Sequence, residues 1–308
     1  MKILVTFPVL DEKLKKMEEE YFGKGNIVWY PEQADAEILL VLNDDFPYSR
    51  NIKMIQTISA GVDHLNLSRL EESTIICSNA GAYALSVAEH VFALLLSATK
   101  KIREKDAEMK KSIFRSDQTI LLYKKTLGII GYGGIGKRVA KIAKSFDMKV
   151  IALGRNDPDE NVNEYVHMDK LHYLIKKSDF ILICIPLTKI TENIIGIEEL
   201  NIIKKNGMLI NVARPEIVKK DELFRFLKER RDVMYLSDVW WDEPNVKDTN
   251  IDNALLTSHI AGGKSGEIME ISFKEAFENI KRFINNETLK NVVKRDEYKK
   301  IERKNVGV

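Results

Sequence analysis

The sequence predicts an α/β protein of two lobes, each a doubly wound parallel sheet, with the second lobe inserted into the first. Three observations predict this. Short apolar strand candidates alternate with helical patterns along nearly the whole chain, as crossover-connected parallel strands require. A glycine-rich turn stands between a strand and a helix near the middle. A last long apolar-faced helix follows the second strand series and has no sheet of its own.

The glycine turn organises the rest. Thr126 to Ile130 reads as a buried strand, and Gly131, Gly133 and Gly136 then give G-x-G-x-x-G. From Lys137 the pattern turns helical, with Val139, Ile142, Ala143 and Phe146 on one face. Gly131 permits the tight turn, Gly133 lets the backbone approach a pyrophosphate, and Gly136 allows helix and strand to pack closely. Gly134 and Ile135 complete the helix start, whose free N–H groups and dipole favour an anion.

Before that turn, strands are expected at Lys2–Phe7, Ile27–Tyr30, Glu37–Leu42, Met54–Ser59 and Thr74–Ser78, with a helix at Glu12–Tyr21 among them. Ser86-Val-Ala-Glu89 has the form of a capping box opening a long helix to about Lys110. Its first half is apolar nearly all round and its second half charged, as for a helix passing between lobes. After the turn, strands are expected at Lys149–Leu153, Phe180–Ile185, Met208–Val212, Val233–Ser237 and Ala254–Thr257. A helix from about Gly266 to Asn285 follows, and the tail from Glu287 is lysine-rich. The expected division is 1–94, 95–266 and 267–308, with a ligand cleft between lobes and hinges near 86 and 264.

Composition narrows the function. The 308 residues carry 48 basic and 46 acidic side chains, a net charge of +2, which makes no electrostatic case for nucleic acid or an anionic membrane. Cys77 and Cys184 are the two cysteines, too few for a disulfide framework or a zinc motif. No metal is expected. The first residues resemble a strand rather than a leader, and Val91 to Leu96 is far too short an apolar run to span a bilayer. A cytoplasmic protein is the expectation.

Several further motifs occur in a fixed order: Ser59-Ala-Gly-Val-Asp-His64, Ile185-Pro-Leu-Thr188, Asn211-Val-Ala-Arg214, Asp238-Val-Trp-Trp-Asp-Glu-Pro244 and Ser258-His-Ile-Ala-Gly262. With the 86–89 and 127–136 motifs, they make the chain resemble the D-isomer-specific 2-hydroxyacid dehydrogenases over nearly its full length. The likeness is closest to archaeal glycerate-dehydrogenase-like members. It implies a Rossmann dinucleotide-binding domain inserted into a flavodoxin-like substrate domain. It implies a small 2-oxo acid of the glyoxylate or hydroxypyruvate type, reversibly reduced to the D-2-hydroxy acid by a nicotinamide cofactor, in a homodimer packed through the dinucleotide-binding lobe.

Carried over by the same resemblance, Arg214, Glu243 and His259 match the catalytic trio. An imidazole titrates near neutral pH and suits proton donation and return. A carboxylate on its ring favours the imidazolium and orients it. A guanidinium holds a carboxylate with its planar fork. The resemblance also sets Ala60, Gly61 and Val62 as a backbone cradle for the substrate carboxylate, and Pro186, Val212 and Asp238 along the cofactor. His64, His90, His167 and His172 have no such role; His90 reads as a satisfied core histidine.

Two features are this chain's own. Relatives specific for NAD end the second strand with an acid on the ribose hydroxyls. Counting 18 residues from Gly136 lands instead on Gly154, followed by Arg155 and Asn156. An arginine can pair with a 2′-phosphate, so NADP(H) is preferred over NAD(H), with Asn156 a second contact and Asp157 near enough to leave NAD(H) open. Pro215 stands where the family has glycine after the arginine, and it fixes φ and removes a donor. Trp240 and Trp241 are large for their stretch and fit packing, a pocket wall or a dimer contact. The Asn43–Arg50 loop brings two acids and one arginine, which leans away from a phosphorylated substrate. A dinucleotide-sensing corepressor-like protein, and a formate- or phosphite-type oxidoreductase, are the alternative readings.

Overall fold

The computed structural model describes residues 1–298 apart from Asn156 and Lys264. Asn156, expected as a cofactor contact, and Lys264, at an expected hinge, therefore lie outside the described residues. In chain order the elements are β1 (Ile3–Val5), α1 (Glu12–Tyr21), β2 (Ile27–Trp29), β3 (Ile38–Val41), β4 (Met54–Thr57) and β5 (Ile75–Cys77). Then come α2 (Ala84–Thr99), α3 (Ile102–Met109), β6 (Thr126–Ile130), α4 (Gly134–Ser145), β7 (Lys149–Leu153), β8 (Glu164–Val166) and α5 (Leu171–Lys177). The last are β9 (Phe180–Ile183), α6 (Ile197–Asn201), β10 (Met208–Asn211), α7 (Lys220–Glu229), β11 (Met234–Ser237), β12 (Ala254–Leu256) and α8 (Gly266–Ile284).

The chain divides into two compact units, Met1–Tyr83 with Lys264–Val308, and Ala84–Gly263. In the first unit five parallel strands run in the order β2-β1-β3-β4-β5. This is the flavodoxin-like order. Successive residues of a strand point to opposite faces, so Ile3 and Val5 enter one core while Leu4 enters the other. The first core is closed by α1 and α8. Phe273 and Phe277 of α8 are fully buried there, and each contributes about 1.5–3 kcal/mol by leaving water. Asn279 of α8 donates to Gln56 Oε1 at 2.8 Å and accepts from the Lys290 N–H at 2.8 Å, which binds the C-terminal return to β4.

The second unit has seven parallel strands in the order β12-β11-β10-β9-β6-β7-β8. The order reverses at β6, so β7 and β9 flank it and the crossovers diverge between β6 and β9. Such a switch point opens a crevice at the carboxyl ends of the strands. Seven strands, not six, form this sheet. β8 is a three-residue edge strand that, among the described residues, pairs only with β7, from Ile151↔Glu164 to Leu153↔Val166. Its pattern is too short to declare itself without its neighbour.

The long helix differs from expectation at both ends. It starts at Ala84, so Ser86 lies inside it and is not a cap; the Ser86 hydroxyl donates to the Ala261 carbonyl at 2.6 Å instead. It also breaks before α3. Thr99 turns its hydroxyl back onto Leu95 O at 2.8 Å, while its carbonyl accepts the Ile120 N–H at 3.0 Å, and Lys101 adopts a left-handed φ of 54°. The expected boundary at 94/95 falls within α2. The helix stays whole in the second unit because Val91, Leu94, Leu95 and Ala98 pack with Leu127, Val139 and Ala140. Among the described residues no helix is long and apolar enough to cross a membrane.

Candidate active site

The functional candidates of the second unit all follow carboxyl ends of parallel strands. Gly131 follows β6, Gly154 and Arg155 follow β7, Pro186 follows β9, Val212 and Arg214 follow β10, Asp238 follows β11, and His259 follows β12.

The glycine turn is determined by close approach. Gly131 has a φ of +110°, and a Cβ there would meet the backbone of Cys184 and Ile185 at 2.7–2.8 Å. A Cβ on Gly136 would lie 2.3 Å from the Gly131 carbonyl oxygen. Cys184 donates its thiol to that same oxygen at 3.0 Å; burial pushes the thiol up to about 12, so it stays protonated. Gly133 is different, because a Cβ there would meet nothing within 4 Å. It caps α4, and the Lys137 N–H is bonded to its carbonyl at 2.9 Å. The N–H groups of Gly134, Ile135 and Gly136 are the first of the helix and have no preceding turn to bond. Open space against these donors is what a dinucleotide pyrophosphate requires, so the residues present fit the cofactor.

Beside the turn, Tyr132 is buried and donates its hydroxyl to Asp159 Oδ1 at 2.7 Å. Burial raises the phenol, and Asp159 raises it further. Burial opposes the Asp159 charge, yet Tyr132 and the Asn161 N–H outweigh it and hold the carboxyl below its ordinary range. A Cβ on Gly154 would lie 2.9 Å from the Tyr132 Cβ and backbone nitrogen. No acid can stand at position 154 without displacing the Tyr132 backbone. Arg155, next in the chain, is exposed.

On the far side of β6, Asn211 shapes the arginine turn. Its Nδ2 donates to the Arg214 carbonyl at 2.9 Å, and its Oδ1 accepts the Ala213 N–H at 3.0 Å. Pro215 opens a short 3-10 turn at Pro215–Ile217, where a missing N–H costs nothing. The loop therefore accepts proline where the family has glycine.

His259 and Glu243 are brought together: Nδ1 lies 2.7 Å from Glu243 Oε2. A carboxylate only accepts, so Nδ1 carries the proton and Nε2 is left for a ligand. The other oxygen, Oε1, accepts the Trp240 N–H at 2.6 Å, which fixes the carboxylate between backbone and ring. Trp240 and Trp241 pack against Phe224 at centroid separations of 5.8 and 5.9 Å and are buried, so they support this loop from below. Both His259 and Glu243 remain accessible, at 48% and 32% of their side-chain surface.

Asp238 is 1% exposed. Its Oδ1 accepts the Ile260 N–H at 2.9 Å and the Thr257 hydroxyl at 2.6 Å, and its Oδ2 accepts the Ala261 N–H at 2.7 Å. Expected along the cofactor, it directs both oxygens to the chain itself. Thr257 was not singled out from the sequence, because nothing in a threonine after a short strand signals its partner. Ala60, Gly61 and Val62 follow β4 in the first unit. There Val62 is buried and the Ser59 hydroxyl donates to the Gly61 carbonyl at 2.9 Å, closing the turn.

Comparison with known proteins gives the family. Residues 92–261 match the family model of the D-isomer specific 2-hydroxyacid dehydrogenase, NAD binding domain. The D-3-phosphoglycerate dehydrogenase of Methanocaldococcus jannaschii is 32% identical over 95% of this chain, although the chain spans only 59% of that protein's length. The glyoxylate reductase of Thermococcus litoralis is 29% identical over 96% of this chain and 97% of its own. The crystal structure of a glycerate dehydrogenase related protein from Thermoplasma acidophilum is 46% identical, with a TM-score of 0.70 over 92% of this chain and all of that one. The switch point with its glycine turn, together with these relatives, defines a dinucleotide-binding oxidoreductase of two α/β domains. Within that class the chain belongs to the D-isomer-specific 2-hydroxyacid dehydrogenase family.

Gly136→Ala forces a Cβ onto the Gly131 carbonyl, a backbone atom that cannot yield cheaply. Titration of NADPH fluorescence is expected to show at least a tenfold loss of affinity, with a melting temperature lowered as for an overpacking of about 1–3 kcal/mol. Unchanged affinity would exclude the close-approach account of the turn.

Proposed function

We propose that the protein reduces a small, unphosphorylated 2-oxo acid of the glyoxylate or hydroxypyruvate type to its D-2-hydroxy acid, and catalyses the reverse, with NADP(H) preferred. The observation that carries this reading is the 2.7 Å contact between His259 Nδ1 and Glu243. It leaves Nε2 as the atom that gives a proton to the substrate oxygen, or takes it back. Glu243 fixes the tautomer and the ring plane. Arg214 clamps the substrate carboxylate and polarises the carbonyl. The Ala60–Val62 backbone is a carboxylate cradle in this reading. The bound nicotinamide supplies the hydride, which no side chain can.

Gly133–Gly136 would hold the pyrophosphate of the cofactor, and Pro186 and Val212 would line its path. Its preference is carried by the β7 end. Tyr132 fills the space that an acid at Gly154 would need, and Arg155 follows as a partner for a 2′-phosphate. The loop after β3 supports an unphosphorylated substrate. Asn43 and Asp45 are exposed, and Asp44 accepts the Asn66 N–H at 2.9 Å. The guanidinium of Arg69 stacks 3.5 Å over the Tyr48 ring, and Arg50 approaches Glu71 at 3.8 Å. Arg69 is engaged within the unit, and Arg50 stands in a loop with two acids, which disfavours a substrate phosphate.

From α3 to the start of β6 the exposed apolar side chains Ile102, Met109, Phe114, Leu121 and Tyr123 are concentrated in one stretch, with Phe114 at 87%. A second copy of this chain is the partner proposed for them, giving a homodimer. A cytoplasmic location is part of the same reading.

Oxidation of NADPH and NADH would be followed by absorbance with glyoxylate, hydroxypyruvate, pyruvate and longer 2-oxo acids. His259→Gln is expected to lower kcat by about 10²–10⁴-fold, the usual worth of a positioned general acid. Turnover of no 2-oxo acid, or full activity in that variant, would sink the reductase reading. Arg155→Ala is expected to raise KM for NADPH by about tenfold or more, as loss of a charge-assisted contact of 1.5–3 kcal/mol implies, while leaving NADH unchanged. An equal effect on both cofactors would remove Arg155 from the phosphate site. Sedimentation equilibrium is expected to give twice the chain mass for the wild type and a monomer for Phe114→Glu; a monomeric wild type would end the dimer proposal.

A further inference from the structure

His90 lies on α2, and 17% of its side chain is exposed. Its Nε2 is 2.9 Å from Thr257 Oγ1 and 3.4 Å from Asp238 Oδ1. The protons can be placed. Thr257 has one hydroxyl proton, and at 2.6 Å it goes to the carboxylate of Asp238, which can only accept. The lone pair of Oγ1 then receives the Nε2–H of His90. A directional chain results, from His90 to Thr257 to Asp238.

That chain ends on the loop of the proposed acid. The N–H groups held by Asp238 belong to Ile260 and Ala261, the two residues that follow His259. His259 itself has a φ of +55°. This left-handed conformation costs a residue with a Cβ about 1–2 kcal/mol, so something outside the residue must hold it. The two bonds to Asp238 do so. Ser86 adds a third hold, donating to the Ala261 carbonyl at 2.6 Å. Ser86 and His90 are four residues apart on α2 and so share one face of the helix. One face of α2 thus reaches the loop at two points, one through a hydroxyl and one through an imidazole.

We propose that His90 is a positioning residue: through Thr257 and Asp238 it holds the backbone of His259 so that the ring stays on Glu243. The inference rests on the reading of His259 as the proton donor, and the experiment separates the two. His90→Leu removes the donor. His90→Gln restores one, because an amide nitrogen reaches nearly as far as Nε2. Steady-state kcat and KM would be measured with NADPH and the best 2-oxo acid of the panel. The His259 Cε1–Hε1 resonance of the enzyme without ligands would be recorded for each variant.

His90→Leu is expected to lower kcat by about 10- to 100-fold, as misplacement of a reacting group does, with KM for NADPH little changed. The His259 resonance should move or broaden, and His90→Gln should recover most of both. Wild-type kcat together with an unmoved resonance in folded His90→Leu would overturn the proposal. If that variant does not fold, Thr257→Val against Thr257→Ser tests the same chain with the same expectations. A resonance that moves in His90→Leu while His259→Gln keeps full turnover would leave the positioning role standing and remove the proton-donor reading.

Discussion

A buried carboxylate sets the geometry on which the candidate chemistry depends. Asp238 is almost wholly removed from water, and an ionised group there is tolerated only if its lone pairs are filled. They are filled by two consecutive backbone N–H groups and a hydroxyl, all from the segment after β12. The need to satisfy this charge therefore dictates the path of residues 257–261. An apolar side chain at 238 would exert no such demand, and would leave the left-handed His259 loop with the Ser86 bond alone of these three holds. Stability and function meet in one group: the cost of burying the charge is offset by the bonds that aim the imidazole.

The same economy appears at the neighbouring strand ends. Asn211 closes the turn that presents Arg214, and the Ser237 hydroxyl donates to the Val239 carbonyl at 2.7 Å to start the loop that carries Glu243. Trp240 supports that loop twice, by burial of its ring and by its backbone N–H on Glu243. Parallel pairing brings these turns to one level, because β10 is in register with β11 from Met208↔Met234 to Asn211↔Ser237. Residues separated by tens of positions in the chain thereby emerge side by side. The glycine turn is built on the same principle, with Ile130 opposite Leu153 on one side and Ile183 on the other. Contact between Gly131 and the β9 loop leaves room for no side chain at the switch point.

Departures from the local patterns share a cause. Ser86 followed by Glu89 has the form of a cap, yet the helix begins earlier because the Ser86 hydroxyl has a stronger use on Ala261. The helical pattern runs on past residue 99, but the Thr99 carbonyl is taken by Ile120 and the chain turns. β8 exists only because β7 offers it an edge. In each case a long-range partner outbids a local preference, and no window of sequence contains that partner.

The sequence by itself determined the two-lobed α/β class, the glycine turn, the order of the family motifs and the identity of Arg214, Glu243 and His259 as candidates. The class and the turn depend on periodicity and on residue types at fixed spacing, and the trio on the family resemblance that the motif order carries; all are read from a linear string. Tertiary structure decided which polar groups face one another. That Gly154 is closed off by Tyr132, that Asp238 spends its oxygens on backbone N–H groups, and that His90 is tied to the His259 loop all follow from strand register and helix placement. The physical reason is the directionality and short range of the hydrogen bond. Hydrophobic patterning tells a segment to be buried, but only the assembled sheet brings a donor within 3 Å of a particular acceptor.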